Sequence, residues 1–130
     1  MRPILPLVAL CLACAPAIRT SAGESVVVER LYFGRNVAGT LGVTDSAWAA
    51  FVRDAVTPRF PAGLTIWGAE GQFRGADGRL EREPSFVLEI VHPARSAQAD
   101  SAIAGVIAEY KRRFRQESVL RLVTPARASY

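Results

Sequence analysis

Leu64-Thr65-Ile66-Trp67-Gly68-Ala69-Glu70-Gly71-Gln72-Phe73-Arg74-Gly75-Ala76-Asp77-Gly78-Arg79-Leu80-Glu81-Arg82-Glu83-Pro84-Ser85-Phe86-Val87-Leu88-Glu89-Ile90-Val91-His92 is the stretch that decides the fold. It reads as two strands joined by a tight turn. Gly75-Ala76-Asp77-Gly78 is the turn, because Asp-Gly accepts the positive φ angles that two-residue hairpin connections need. The first strand covers 64–74, headed by Leu64, Thr65, Ile66 and Trp67, and Gly68 and Gly71 predict a bulge or bend within it. The returning strand covers 80–92 with Phe86-Val87-Leu88-Glu89-Ile90-Val91 as its apolar body. Pro84 predicts an edge or irregular entry, since proline donates nothing to a ladder. His92-Pro93 closes the strand.

A helix is expected on either side of this hairpin. Upstream, Thr44 reads as an N-cap with Asp45 in the first turn, where the helix dipole favours a negative charge. Trp48, Phe51, Val52, Ala55 and Val56 then fall on one helical stripe. Pro58 is expected to stop that helix by pushing Thr57 out of the α region, and Pro61-Ala62-Gly63 turns the chain into the next strand. Downstream, 96–115 places Ile103, Val106, Ile107, Tyr110 and Phe114 on one face. Lys111, Arg112, Arg113 and Arg115 crowd its last turn, where cations suit the dipole.

Strands close both ends of the pattern. Val26-Val27-Val28-Glu29-Arg30-Leu31-Tyr32-Phe33 is β-branched and aromatic, so 25–33 forms the first strand. The last strand, 117–124, centres on Val119-Leu120-Arg121-Leu122-Val123. The order β-α-β-β-α-β defines an α+β, ferredoxin-like split βαβ fold: a four-stranded antiparallel sheet with two helices on one face. Strand order is then 4-1-3-2. The first and third strands carry the densest apolar runs, as interior strands should.

The chain has 130 residues and opens with Met1-Arg2-Pro3-Ile4-Leu5-Pro6-Leu7-Val8-Ala9-Leu10-Cys11-Leu12-Ala13-Cys14. One positive charge and a short apolar run read as a secretory signal, too short for a spanning helix. Residues 1–22 are therefore assigned to a signal peptide of lipoprotein type and 23–130 to a single domain. Cys14 after Ala13 is the lipidation site in this reading, although Cys11 stands where such sites usually carry Leu. Plain secretion is the alternative, with cleavage after Ala15-Pro16-Ala17 or Thr20-Ser21-Ala22. The expected location is the periplasm or cell envelope, with membrane contact only through the lipid anchor.

Both cysteines lie in that leader, so no disulfide or thiolate metal site is expected in the domain. Neither a metal nor a cofactor is expected. The formal net charge of +4 is mild and does not call for nucleic acid.

With the segments placed, the chain resembles a family of short exported bacterial proteins catalogued as domain of unknown function 3574. The stretches that carry the likeness are Leu31-Tyr32-Phe33-Gly34-Arg35, Trp48 with Phe51, and Thr57-Pro58-Arg59-Phe60-Pro61-Ala62-Gly63-Leu64-Thr65. Gly71-Gln72-Phe73-Arg74-Gly75, Arg82-Glu83-Pro84-Ser85 and Tyr110 with Phe114-Arg115-Gln116-Glu117-Ser118-Val119-Leu120 complete it. Phe73 stands where relatives often have Trp. The resemblance implies export and this fold, and supplies no mechanism.

The candidate ligand-binding residues are Tyr32, Arg35, Gln72, Arg74, Arg82, His92, Gln116 and Glu117. Glu117 suits a general base or ligand anchor, with Gln116 and Ser118 as hydrogen-bonding neighbours; the structural alternative is that these groups satisfy the end of the second helix. Arg74 and Arg82 suit an anionic ligand; the alternative is cross-strand pairing with Glu70, Glu81 or Glu83. His92 is the only histidine, without triad partners or a metal cluster, and a structural or solvated role is favoured. The glycines of 34–42 fit neither a P-loop nor a dinucleotide fingerprint and read as a flexible connection. Trp48 belongs to the core, and Trp67 or Trp48 would mark an aromatic patch on the uncovered sheet face. The basic end of the second helix reads as solvated, with lipid headgroups as the other reading.

Helices on one side leave the other sheet face uncovered. The expected function is therefore a non-enzymatic envelope module that forms a homodimer through the sheet and binds a small molecule or an envelope protein. The alternative is an enzyme of the dimeric α/β-barrel type, with Tyr32, Gln72, Arg74, His92 and Glu117 converging in one cavity on the open face.

Overall fold

The computed structural model describes residues 23–74 and 77–130. The signal segment, its cleavage sites and Cys14 lie outside the described residues, as do Gly75 and Ala76 of the turn. Strand β1 (Glu24–Gly34) is followed by a two-residue ribbon, β2 (Asn36–Val37) and β3 (Thr40–Leu41). Helix α1 (Asp45–Phe51), strands β4 (Thr65–Arg74) and β5 (Leu80–Pro93), helix α2 (Ala97–Phe114) and strand β6 (Leu120–Ala128) complete the order. The four long strands form one antiparallel sheet in the order β4-β5-β1-β6. This is the ferredoxin-like arrangement that the alternation of strands and helices implied, with β1 and β5 inside.

Several local expectations are corrected. The β4–β5 register runs without a break from Thr65↔Glu89 to Arg74↔Leu80, so Gly68 and Gly71 make no bulge. Pro84 sits within that ladder, paired with Glu70. Its carbonyl accepts from the Arg35 N–H at 3.1 Å, so its nitrogen also points toward the β1 side. The β1 ladder has just ended there at Gly34↔Ser85, and the missing N–H costs no pairing. Pro58 does not stop the first helical segment. The hydrogen bonding widens over Val52–Val56 and tightens over Thr57–Arg59, and Thr57 keeps helical angles (φ −52°, ψ −44°). Proline in the first turn of the tight segment needs no donor, and burial of Ala55 and Val56 holds the continuation in place. Strand β6 begins later than expected, at Leu120, and runs on to Ala128. It tolerates Pro125 because it is an edge strand.

Alternation along the strands sorts the side chains. Leu31, Phe33, Leu88 and Ile90 face the helices and meet Trp48, Phe51, Val56, Ile103, Val106 and Tyr110. Full burial of such a side chain stabilises by roughly 1.5–3 kcal/mol. Aromatic rings fill the centre: Trp48 stacks on Phe86 with centroids 4.5 Å apart, and Tyr110 meets Phe33 edge-on at 4.7 Å. Thr44 and Ser96 cap the two helices by accepting from the Ala47 and Ala99 N–H groups.

Among the described residues, no helix lies on the other face. Across it run the rows Trp67–Val87–Tyr32–Leu120, Thr65–Glu89–Arg30–Leu122 and Val91–Val28–Thr124. At the start of β1, Glu24 pairs with Ala128 and the Arg127 guanidinium donates to the Gly23 carbonyl at 2.6 Å, so the two ends of the domain lie side by side.

Candidate functional site

Strand β1 ends at Gly34, where the lack of a side chain makes room for a carboxylate. A Cβ on Gly34 would come within 2.6 Å of the Glu83 carboxylate; the bare backbone leaves that space to Glu83. Its Oε1 accepts from the Asn36 N–H at 2.8 Å. The next residues fold back as the β2–β3 ribbon through Ala38 and Gly39, both at positive φ (51° and 79°). That pair of angles is what a two-residue hairpin turn requires. The glycine-rich segment expected to be a plain connection is thus a small hairpin.

The ribbon is tied to the end of α2. Arg115 turns left-handed (φ 54°) and ends the helix, so Gln116 swings its side chain to donate to the Asn36 carbonyl at 2.7 Å. Gln116 serves the helix end through its backbone N–H, which donates to the Lys111 carbonyl at 3.1 Å, while its side chain holds the hairpin. From beneath, the buried Tyr110 hydroxyl donates to the Gly34 carbonyl at 2.8 Å. Burial pushes the Tyr110 phenol well above its ordinary value, so it remains a neutral donor.

These ties enclose a cleft of about 460 Å³ at one end of the open sheet face, a size in the usual range for small-molecule sites. Among the described residues, Glu81, Glu83 and Glu117 line it against a single cation, Arg115. Tyr32, Phe73 and Leu120 supply aromatic and apolar surface, and Ser85 and Ser118 add hydroxyls.

Three of the eight candidate residues meet here: Tyr32, Gln116 and Glu117. Arg35 lies on the helix side, its Nε donating to the Val43 carbonyl at 2.9 Å and Nη2 to Asp45 at 2.5 Å. Its guanidinium also stacks over Phe86, 4.6 Å from the ring centroid. Arg74 donates to the Gly78 carbonyl at 2.7 Å, and Arg82 reaches Gln72 at 3.4 Å, in place of the expected pairing with glutamates. His92 lies at the far end of the sheet, on the helix face opposite Val27. The five-residue constellation of Tyr32, Gln72, Arg74, His92 and Glu117 therefore does not converge.

His92 belongs to a second group of charges. Glu29, 1 % exposed, receives Arg121 in a two-pronged contact (Nε to Oε2 2.6 Å, Nη2 to Oε1 2.5 Å). Arg121 also bridges to Asp100 on α2, and His92 Nε2 lies 3.5 Å from Glu29. The Arg121 hydrogen bonds hold the Glu29 carboxyl below the usual carboxylate range and raise Arg121 in turn. The signal for this group was available: Glu29 falls two residues before Leu31 on the core-facing alternation of β1. Among the described residues no group of three or more His, Cys, Asp or Glu could hold a metal ion.

The family model described as "Protein of unknown function (DUF3574)" matches residues 28–130. The chain belongs to that family. No curated protein matches the sequence. Among solved structures, this DUF3574 domain is similar to a phage SAM lyase in complex with S-methyl-5′-thioadenosine. The TM-score is 0.61 at 17 % identity, over 86 % of this chain and 97 % of that one. The apo state of a phage SAM lyase gives 0.58 at 20 % identity, over 86 % and 95 %. At such identities the likeness shows the fold alone. Among the described residues no helix is long and apolar enough to cross a membrane.

Proposed function

We propose that this chain is an exported protein that binds a small organic cation carrying a flat or apolar part in the Glu81–Glu83–Glu117 cleft. One observation carries the reading: a chain with net charge +4 collects three carboxylates against one guanidinium in a cleft of about 460 Å³. Three carboxylates lining one cleft favour a positive ligand. Tyr32 and Phe73 offer ring faces that attract the same charge, and Leu120 offers apolar contact. The solved structures with this fold add a chemical class. S-adenosylmethionine is a sulfonium cation joined to a flat base, and the lyase complex contains the thioether left when such a sulfonium loses a substituent.

Titration calorimetry with S-adenosylmethionine, S-methyl-5′-thioadenosine and adenosine tests this reading. Preferential binding of the sulfonium, weakened about tenfold by Glu83→Gln and falling with added salt, is the expected result. Equal affinity for all three, or none for the sulfonium, overturns it.

A catalytic reading has one observation in its favour: the fold likeness spans almost the whole of an enzyme's chain. Release of S-methyl-5′-thioadenosine from S-adenosylmethionine, lost in Glu117→Gln, would establish it; unchanged S-adenosylmethionine over hours leaves a binding protein. Export rests on the leader and the family resemblance. Radiolabelled palmitate incorporated by the chain in an exporting bacterial host, and abolished by Cys14→Ser, would establish the lipid anchor.

A further inference from the structure

We infer that the cation bound in this cleft also carries a carboxylate, and that Arg115 is the group that binds it. The site then selects a cation built on an amino acid over a plain cation of the same kind. This rests on the proposed binding of a cation among the three glutamates.

The cleft has two sides. Glu81 and Glu83 belong to β5, while Arg115 and Glu117 belong to the turn that leads from α2 into β6. Strand β1 lies between β5 and β6, which are therefore two strand spacings apart, about 10 Å. Beyond the end of β1, Asn36 bridges the two sides. Its N–H donates to Glu83 at 2.8 Å, and its carbonyl accepts from Gln116 at 2.7 Å. A ligand whose positive centre and carboxylate are joined by a short aliphatic chain can meet a side chain from each side.

Arg115 is unused by the fold. Its neighbours on α2 are engaged, Arg112 with Glu109 at 2.7 Å and Arg113 with Asp54 at 3.5 Å. Among the described residues Arg115 forms no ion pair, and neither do Glu81, Glu83 and Glu117. Opposite charges held apart in one cleft leave both signs available to a ligand. The planar fork of a guanidinium matches a carboxylate.

The backbone at Arg115 adds a second observation. Among the described residues two non-glycines have positive φ, Ala38 and Arg115, and both line the cleft. Ala38 makes the tight turn of the β2–β3 ribbon. Arg115 ends α2 in the left-handed position that glycine fills without strain. The helix dipole favours a cation at this end, but Lys111, Arg112 and Arg113 already supply it in the last turn. Strain of this kind is concentrated at ligand sites.

An acidic cleft alone predicts the opposite preference. Decarboxylated S-adenosylmethionine lacks the carboxylate and has one more net positive charge, so the glutamates by themselves should hold it tighter. Arg115 reverses that order.

Titration calorimetry of the full chain with S-adenosylmethionine and with its decarboxylated form, paired with urea unfolding, tests the inference. The wild-type chain should prefer S-adenosylmethionine at least about tenfold, the worth of a hydrogen-bonded charge pair. Arg115→Gly should erase that preference while raising the urea midpoint, since the strain leaves with the side chain. Equal or tighter wild-type binding of the decarboxylated form overturns the role of Arg115 and leaves the cleft reading standing. A preference that survives Arg115→Gly does the same. A urea midpoint lowered by Arg115→Gly assigns the side chain to the fold and also overturns the inference. Failure of both sulfoniums to bind overturns the cleft reading itself, and this inference with it.

Discussion

Glu29 and Glu83 stand on neighbouring strands and opposite faces of one sheet, and they are treated differently. Glu29 is buried, gripped on both oxygens by Arg121 and approached by His92. Glu83 is half-buried, takes one backbone hydrogen bond from Asn36, and borders open space above a glycine. An ionised carboxylate has about four acceptor positions. Arg121 and His92 use those of Glu29, while those of Glu83 remain available to a ligand. The first carboxylate is a structural clamp joining β1, β6 and α2; the second is held in place yet free to bind. Burial of charge alone does not mark a functional site. A positioned charge with unused valence is the better guide.

Arg121→Ala should break the clamp most severely. It leaves Glu29 buried without its partner, a loss of about 3–5 kcal/mol, readable as a lower urea midpoint. Removing both charges together, as in Glu29→Leu/Arg121→Leu, should cost much less. Trp48→Ala supplies the apolar control for the same part of the scale, about 3–5 kcal/mol by cavity formation; a loss below about 1 kcal/mol would contradict its place in the core. Acid should separate the two carboxylates next. The folded-state value of Glu29 is lowered from 4.5, so its stabilisation is complete above that value and disappears as pH falls through the lower folded one. The acid limb of wild-type stability should therefore be steeper than that of Glu29→Gln in urea titrations below pH 4.5. Gly34→Ala acts on the other end: it displaces Glu83 and should lower sulfonium affinity about tenfold, with a stability loss near 1 kcal/mol. Glu117→Gln should change stability by less than about 0.5 kcal/mol while still weakening the sulfonium. A large stability loss there would mean that the cleft is held together by its acids.

The sheet order and the core were legible because their signals are periodic and local. Leu31 and Phe33 alternate, Trp48 and Phe51 recur at helical spacing, and Asp77-Gly78 sits between two β-rich runs. The cleft was only partly legible. Tyr32, Gln116 and Glu117 were recognised, but Glu83 was read as a salt-bridge partner of arginines. Its true neighbours are Gly34 and Asn36, some fifty residues away, and only the β1–β5 register brings them together. The β2–β3 ribbon was hidden because two-residue strands have no periodicity to read. Arg35 misled because the short segment before it does not reveal that Val43, Asp45 and Phe86 already occupy its guanidinium. Glu29 broke the apolar alternation of its strand, and such an interruption is a readable mark of a buried pair.

The adjacency of Gly23 and Ala128 has an engineering consequence. Strand β1 runs from that seam to the cleft, and β6 runs back, so anything fused at either end is held about 30 Å from the site by the length of the strands themselves. A short peptide joining Ala128 to Gly23 would close the domain into a ring without moving the sheet, and new ends could be opened at an exposed bend of the chain such as Pro61-Ala62. A reporter fused at the seam itself, without permutation, would leave the cleft facing solution on the side remote from its cargo.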